Sequence, residues 1–256
     1  MPAEALSAPE GGAPPNDRRE PRITVTFTPE QPGLVDAAIT SRRSTRAFLP
    51  TSVPQTMLSD ILAVASRAPS GTNTQPWKVY VLTGDAKLAL SARLLATFDD
   101  PVQRASHTEE YAYYPTEWKS PFVERRRKVG WDLYGLLGIG KADKERMHAQ
   151  HRRNFTFFDA PVGMMFTIDR VLGQGSWLDY GMFLQSVMVS ARARGLHTCP
   201  QAAFTPFHSV ITAHLGAPDH EQLVCGMSLG WADPQAVENS LLTEREPVER
   251  VARFLK

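Results

Sequence analysis

The residues of this chain best suited to chemistry fall in two short clusters. The first is Ser41-Arg42-Arg43-Ser44-Thr45-Arg46, with three guanidinium groups inside five residues and hydroxyls between them. A phosphate monoester carries nearly two negative charges and several acceptor oxygens. Arginine meets it with a planar fork of donors, and serine adds a hydroxyl donor. A solvated basic turn has the same composition, and spacing alone leaves both readings open. The second cluster is the polar loop Ala68-Pro69-Ser70-Gly71-Thr72-Asn73-Thr74-Gln75-Pro76-Trp77. Its small hydroxyl and amide side chains suit the polyol and ring edge of a ligand. An ordinary loop rich in turn residues is the alternative.

Other groups are less eloquent. His148 and His151 share a helical face, but no clear third ligand stands near them, so no metal site is expected. Cys199 and Cys225 form no CxxC pair and read as packed residues rather than a disulfide framework or a nucleophile. Asp179 reads as a local pairing or capping residue. No Gly-rich dinucleotide fingerprint and no nucleophile–base arrangement is evident. From Asp99 to Asn154 the chain is rich in aromatics, with Tyr111, Tyr113, Tyr114, Trp118, Phe122, Trp131 and Tyr134 among them. These read either as plain core and interface or as a lid stacking on flat substrates, Tyr111, Tyr113, Trp118, Trp131 and Tyr134 being the substrate-binding candidates.

The elements that must position these groups can be read from periodicity. Residues 1–30 are Pro-rich and poor in large apolar groups, a flexible tail, and the folded body is expected from Gln31 to the C-terminus. A short helix reads from Gly33 to Ser41. A second is expected to start at a Ser52–Gln55 capping box and to stop at Pro69. Trp77–Leu82 reads as a strand, Asp85–Thr97 as a helix, and residues 99–154 as a long, partly helical excursion. Pro161–Ile168 reads as a nearly all-apolar strand, buried on both faces. A long helix runs from a Ser176 cap to Arg194, apolar around most of its circumference, which implies a buried or interfacial position. A loop at His197–Phe204, a helix at Pro206–Leu215 and a third strand at Leu223–Leu229 follow. This is an α+β domain with a helix-rich shell. The 42% apolar content supports a sizeable core, and the net charge of +1 gives no reason to expect nucleic acid or an anionic membrane surface. With no signal-peptide h-region and no spanning apolar run, a cytoplasmic protein is expected.

Taken together, Arg-Arg-Ser-x-Arg-x-Phe at 42–48 and Pro-Ser-Gly-x-Asn-x-Gln-Pro-Trp at 69–77 resemble the N-terminal signature of the nitroreductase family of flavoproteins. Gly175-Ser176-Trp177-Leu178-Asp179-Tyr180-Gly181-Met182-Phe183-Leu184-Gln185 and Cys199-Pro200-Gln201-Ala202-Ala203-Phe204 resemble its nitrobenzoate-type branch. The resemblance covers roughly Leu34 to the C-terminus. It implies a mixed central sheet surrounded by helices and an intertwined homodimer, with FMN at the subunit interface. NAD(P)H would act as a transient co-substrate and small aromatics as acceptors. The implied reaction is reduction of nitroaromatic compounds by a ping-pong hydride relay through flavin N5, with no catalytic side chain required. The same fold acting on quinones, activated alkenes or halogenated aromatics is the alternative, as is a flavin-binding or flavin-processing protein without a reductase cycle.

Residue by residue, the resemblance implies that Arg42 and Ser44, with Arg43 beside them, grip the phosphate and ribityl chain, and that Arg46 faces flavin N1 and O2. Pro69, Ser70, Gly71 and Asn73 would reach the partner's flavin. The backbone of Pro200, Gln201, Ala202 and Ala203 would face N5 and O4. Arg153 and Asn154 would lie at the pyrimidine edge, and Arg245 would be a late phosphate ligand. Two departures stand out. Thr243 takes the place of a second late basic residue, and Ala202 that of a glutamate near N5, where substrate preference is set.

Overall fold

The structure, a computed structural model, describes residues 31–256; the expected tail lies outside the described residues. A four-stranded sheet forms the centre, from β1 (Lys78–Thr83), β2 (Val162–Asp169), β3 (His197–Gln201) and β4 (Glu221–Gly230), in the order β1-β2-β4-β3. Every strand pair is antiparallel. The expected mixed character is confined, among the described residues, to one isolated parallel bridge between Ser44 and Thr198. Around the sheet stand α1 (Gln31–Thr40), α2 (Gln55–Ala65), α3 (Gly84–Asp99), α4 (Pro101–Ser106), α5 (Phe122–Leu136), α6 (Lys144–Arg152), α7 (Gln174–Ala193), α8 (His208–Leu215) and α9 (Val248–Val251).

The nearly all-apolar strand at 161–168 is β2, which runs from Val162 to Asp169 and is buried on both faces as expected. Its alternation sorts the core into two layers. Val162, Met164, Phe166 and Ile168 face α2 and α7 with Leu58, Ile61, Tyr180, Phe183 and Val187. Met165 faces the other side, with Leu90 and Leu94 of α3, Ile211 of α8 and the rings of Phe155, Phe157, Phe204 and Phe207. The β2–β4 register shifts between Phe166 and Thr167, so that Cys225 and Leu223 are successive partners and Val224 is left over. The bulge frees the Val224 carbonyl from the ladder, and the Tyr111 hydroxyl donates to it.

Two glycines in the central strands make room for rings. A Cβ on Gly163 would lie 2.6 Å from the Phe157 ring, and one on Gly226 would lie 2.3 Å from the Phe204 ring. Only bare backbone lets these rings lie so close to the sheet. Phe157 and Phe204 then meet at 5.0 Å between centroids. Phe157 and Phe158 hold left-handed backbones, φ 57° and 52°, in the turn that delivers them.

The element boundaries differ from the sequence reading where local chemistry competes. The capping box does not form: Pro54 occupies the N-cap of α2, no side chain caps it, and Ser52 lies too early. The helix ends at Ala65, four residues before Pro69. The long helix starts at Gln174, and Ser176, whose N–H already donates to the Gly173 carbonyl at 3.0 Å, is inside its first turn. The segment expected as a loop at His197–Phe204 is the edge strand β3 followed by a 3-10 turn over Ala202–Phe207. Among the described residues no helix is long and apolar enough to cross a membrane.

Candidate functional site

The first arginine cluster lies along the outer edge of β3. Ser44 forms its bridge with Thr198, and the Thr45 N–H donates to the Thr198 carbonyl at 3.1 Å. An extended segment alternates its side chains, so Arg42, Ser44 and Arg46 share one face and Arg43 and Thr45 the other. Arg42, Ser44 and Arg46 all surround Cys199. Burial pushes that thiol up to about 11, opposed by the charge of Arg46, a hydrogen bond from Ser44 and the charge of Arg42. Arg43 instead opens with Thr45, His197 and Asn239 onto a separate cavity of about 470 Å³, so the structure parts it from the other two arginines.

Arg46 is the best braced of the three. Its N–H donates to Asn239 Oδ1 at 2.9 Å, and its guanidinium donates to the Ser44 carbonyl at 3.3 Å. Arg42 is half-buried, its Nε buried with no hydrogen-bond partner among the described residues. Burial first and Arg245 second lower its pKa. Two guanidinium groups thus influence each other at a place where one carries an unpaired, inward N–H. An anion with several acceptor oxygens satisfies both conditions. Arg245 itself donates to Thr243 Oγ1 at 2.7 Å, which holds its guanidinium in place.

Beside this face lies a cavity of about 640 Å³. Arg46, Asn154 and the run Cys199–Ala203 form one wall, and the rings of Phe98, Phe155, Phe158 and Phe207 form much of the rest. The Gln201 side chain locks the first wall in place: its Nε2 donates to the Asn154 carbonyl at 2.9 Å, and its Oε1 accepts from Ser228 Oγ at 2.6 Å. With that side chain held inside, Ala202 and Ala203, whose side chains are single methyl groups, continue the wall of the cavity. Ala202 contributes no charge there. The excursion adds Arg104, His107, Glu109, Tyr114, Arg126 and His151. Asp100 helps place Arg104 by capping α4, its Oδ1 accepting from the Val102 and Gln103 N–H groups at 2.8 and 3.2 Å. Burial, then the neighbouring His148 and Arg104, lowers the pKa of His151, which keeps that ring neutral near pH 7.

The structure does not bring every expected residue here. Arg153 pairs with the buried Glu238 at 2.6 Å and with Asp159 at 3.5 Å, outside the cavity lining. Tyr111 packs on Trp177 at 4.5 Å and caps the bulge of β4. Trp131 and Tyr134 pair with each other at 5.9 Å on α5, and Lys141 lies over Trp131 at 5.3 Å. Tyr113 meets Tyr114 edge-on at 4.7 Å, and Tyr114, not Tyr113, lines the cavity. Trp118 reaches the site through two lining residues, Arg126, whose guanidinium lies 4.9 Å from its ring centre, and Tyr114, whose ring centre is 5.4 Å away. The aromatic wealth of the excursion thus marks the right segment without showing which rings turn inward. Phe98, Phe155, Phe158 and Phe207 could have been found only by knowing where α3 and the 3-10 turns at Arg153–Asp159 and Ala202–Phe207 pack.

The loop at Pro69–Asn73 stands apart from this cavity, near the N-terminal half of α7. Asp179 reaches across to it: the Gly71 N–H donates to Asp179 Oδ2 at 3.1 Å, so this carboxylate acts far from its own turn. Within the loop the Gln75 N–H donates to Ser70 Oγ at 3.0 Å, and Thr72, Asn73 and Gln75 all hold positive φ, between 49° and 60°. Three non-glycine residues in the left-handed region are a conformation the surroundings must enforce. No group of three or more His, Cys, Asp or Glu suited to a metal ion occurs among the described residues.

A 4-nitrobenzoate reductase of Pseudomonas putida is 46% identical over 220 residues, covering 86% of this chain and 95% of that protein. A 4-nitrobenzoate reductase of Nocardioides sp. (strain LMS-CY) is 42% identical, covering 86% and 89%. The crystal structure of the FMN and NADPH-dependent nitroreductase NfnB from Sphigopyxis sp. strain HMH superposes with a TM-score of 0.83 at 35% identity, covering 87% of this chain and 99% of that one. The nitroreductase family profile matches residues 39–231, and the chain belongs to the nitroreductase family.

Proposed function

We propose that this chain is the subunit of an FMN- and NAD(P)H-dependent oxidoreductase that reduces nitroaromatic compounds, nitrobenzoates among them. The observation that carries this reading is the succession of three neighbouring features: the inward Nε of Arg42 under the influence of Arg245, which opens on another cavity, then the braced guanidinium of Arg46, then the Pro200–Ala203 run against a wall of rings. These suit, in turn, the ribityl phosphate of FMN and the pyrimidine and redox-active edges of its isoalloxazine ring. Bound FMN supplies the redox chemistry, accepting hydride from NAD(P)H and returning it to the acceptor. With one proton, that hydride turns a nitro group into a nitroso group and water. The protein's part is to bind, orient and exclude water. Arg46 would set positive charge beside the ring of a bound flavin, and Ala202 and Ala203 would hold its edge. The Phe wall gives flat substrates a dry stacking surface.

The working assembly in this reading is a homodimer, with one FMN-binding domain over residues 31–256 in each subunit. In the single chain Pro69, Gly71 and Asn73 are exposed, and no residue of their loop lines the cavity. The loop's fixed, left-handed shape suits insertion beside a neighbour's flavin. Leu34 is 73% and Leu178 71% exposed, apolar surface of the kind an interface covers. The α4–α6 excursion roofs the cavity as a lid. Two buried, unpaired cysteines accord with a reducing, cytoplasmic setting.

The deciding experiment is anaerobic mixing of the purified yellow protein with NADPH and then with 4-nitrobenzoate. Bleaching of the flavin band followed by its return is expected. A band that stays unbleached, or bleaches and is not restored by any nitroarene, would overturn the reading. Arg42→Ala should weaken FMN binding by about ten- to a hundredfold, the loss of one charge-assisted contact, measured by flavin fluorescence on release.

A further inference from the structure

We infer that Arg126 selects the electron acceptor, by pairing with an anionic group, an aryl carboxylate, carried across the ring from the nitro group. The inference rests on the nitroarene-reducing reading above and deepens it. A neutral flat substrate needs only the ring-lined wall. Yet α4 and α5 bring two guanidinium groups to the same cavity, Arg104 and Arg126, against Glu109 as the one carboxylate among the described residues of its lining. Glu109 already accepts from Thr205 Oγ1 at 2.6 Å. Arg104 is committed to the fold, donating to the Phe98 carbonyl at 3.1 Å with its guanidinium carbon 5.3 Å from the Phe98 ring centre.

Arg126 differs. On the same helix Arg125 pairs with Glu246 at 2.7 Å and Lys128 with Asp132 at 2.8 Å, and Arg127 does not line the cavity. Arg126 has neither an ion-pair nor a hydrogen-bond partner among the described residues. Two rings hold it instead, Trp118 at 4.9 Å and Tyr114 at 5.8 Å from the guanidinium carbon. A guanidinium resting against ring faces is restrained in position while its donors point outward in their own plane, the edge that a carboxylate meets with two parallel hydrogen bonds. Tyr114 lines the cavity too, so the platform and the cation arrive together.

The test uses the FMN-loaded enzyme at low ionic strength. Arg126→Ala is expected to raise KM for 4-nitrobenzoate at least tenfold, and KM for methyl 4-nitrobenzoate by no more than about twofold, the split expected when a charged partner is lost. Arg126→Lys should recover part of the difference. Unreactive benzoate, titrated by calorimetry, should bind at least tenfold more weakly to Arg126→Ala than to the parent. Equal losses for the acid and its ester, or a parent enzyme that does not favour the acid, would overturn the assignment. So would a rise confined to KM for NADPH, which would make the anion the nucleotide's phosphate. If the parent reduced no nitroarene yet bound benzoate more tightly than Arg126→Ala, the proposed reaction would fall and the carboxylate site would stand.

Discussion

The contact between Gly226 and Phe204 offers a demanding test of how the core supports the site. Gly226 lies in β4 with Met165 of β2 on one side and Gln201 of β3 on the other. A Cβ there would stand 2.3 and 2.5 Å from two atoms of the Phe204 ring and 3.3 Å from Met165 Sδ. The strand cannot retreat, because ladders fix it on both sides. Phe204 cannot swing freely, because it is fully buried. Gly226→Ala therefore belongs at the upper end of the usual overpacking cost, about 3 kcal/mol. In a chain of this size each kcal/mol moves Tm by roughly 2–4 °C, so a drop of about 6–12 °C follows. Calorimetry on the FMN-loaded protein measures it. Gly130→Ala, inside α5 with nothing within 4 Å of the added atom, is the control, and it should be neutral or mildly stabilising. Since Phe204 directly follows Ala202 and Ala203 on the cavity wall, FMN retention should fall in parallel. A Gly226→Ala protein melting within about 2 °C of the parent would refute the account of the trough.

Two further outcomes can be checked. Burial raises the Cys199 thiol from 9.0 to about 11 and the Cys225 thiol to about 12. Both keep protons that the unfolded chain releases above pH 9, so the stability they contribute is whole below pH 9 and declines as pH rises toward the folded values. Denaturant midpoints at pH 8 and pH 10.5 should differ, and iodoacetamide at pH 8 should label neither thiol until the chain unfolds; equal midpoints would count against the burial account. Asp179→Ala removes the tie to the Gly71 N–H and should loosen FMN several-fold while leaving Tm within about 2 °C, because the tie lies at a surface loop rather than in the core.

Much of the fold was legible because burial writes a plain pattern. The apolar run at 162–168 could only be a strand covered on both faces, and the stripe at Met57–Ala65 could only be a helix face. β3 was hidden by Pro200 and the polar residues around it. An edge strand tolerates proline, since its outer N–H groups need no ladder partner, and the sequence does not announce which strand is the edge. The pairing of Arg42 with Arg46 and the parting of Arg43 followed from the same edge: once residues 42–46 are known to be extended, alternation does the rest. Arg153 was out of reach, because its partner Glu238 is 85 residues away. Arg104 and Arg126 were equally so, since only the packing of α4 and α5 shows that they share a cavity.

The separation of the Pro69–Asn73 loop from the arginine face has a genetic corollary under the proposed assembly. Each flavin would draw its phosphate grip from one subunit and its loop from the other. A subunit crippled in the loop and one crippled at Arg42 are then defective in non-overlapping ways. Co-expressed, they would form mixed dimers in which one site collects both lesions and the other collects none. Two inactive alleles of a single gene would thereby restore activity between them, whereas two alleles damaged on the same face would not.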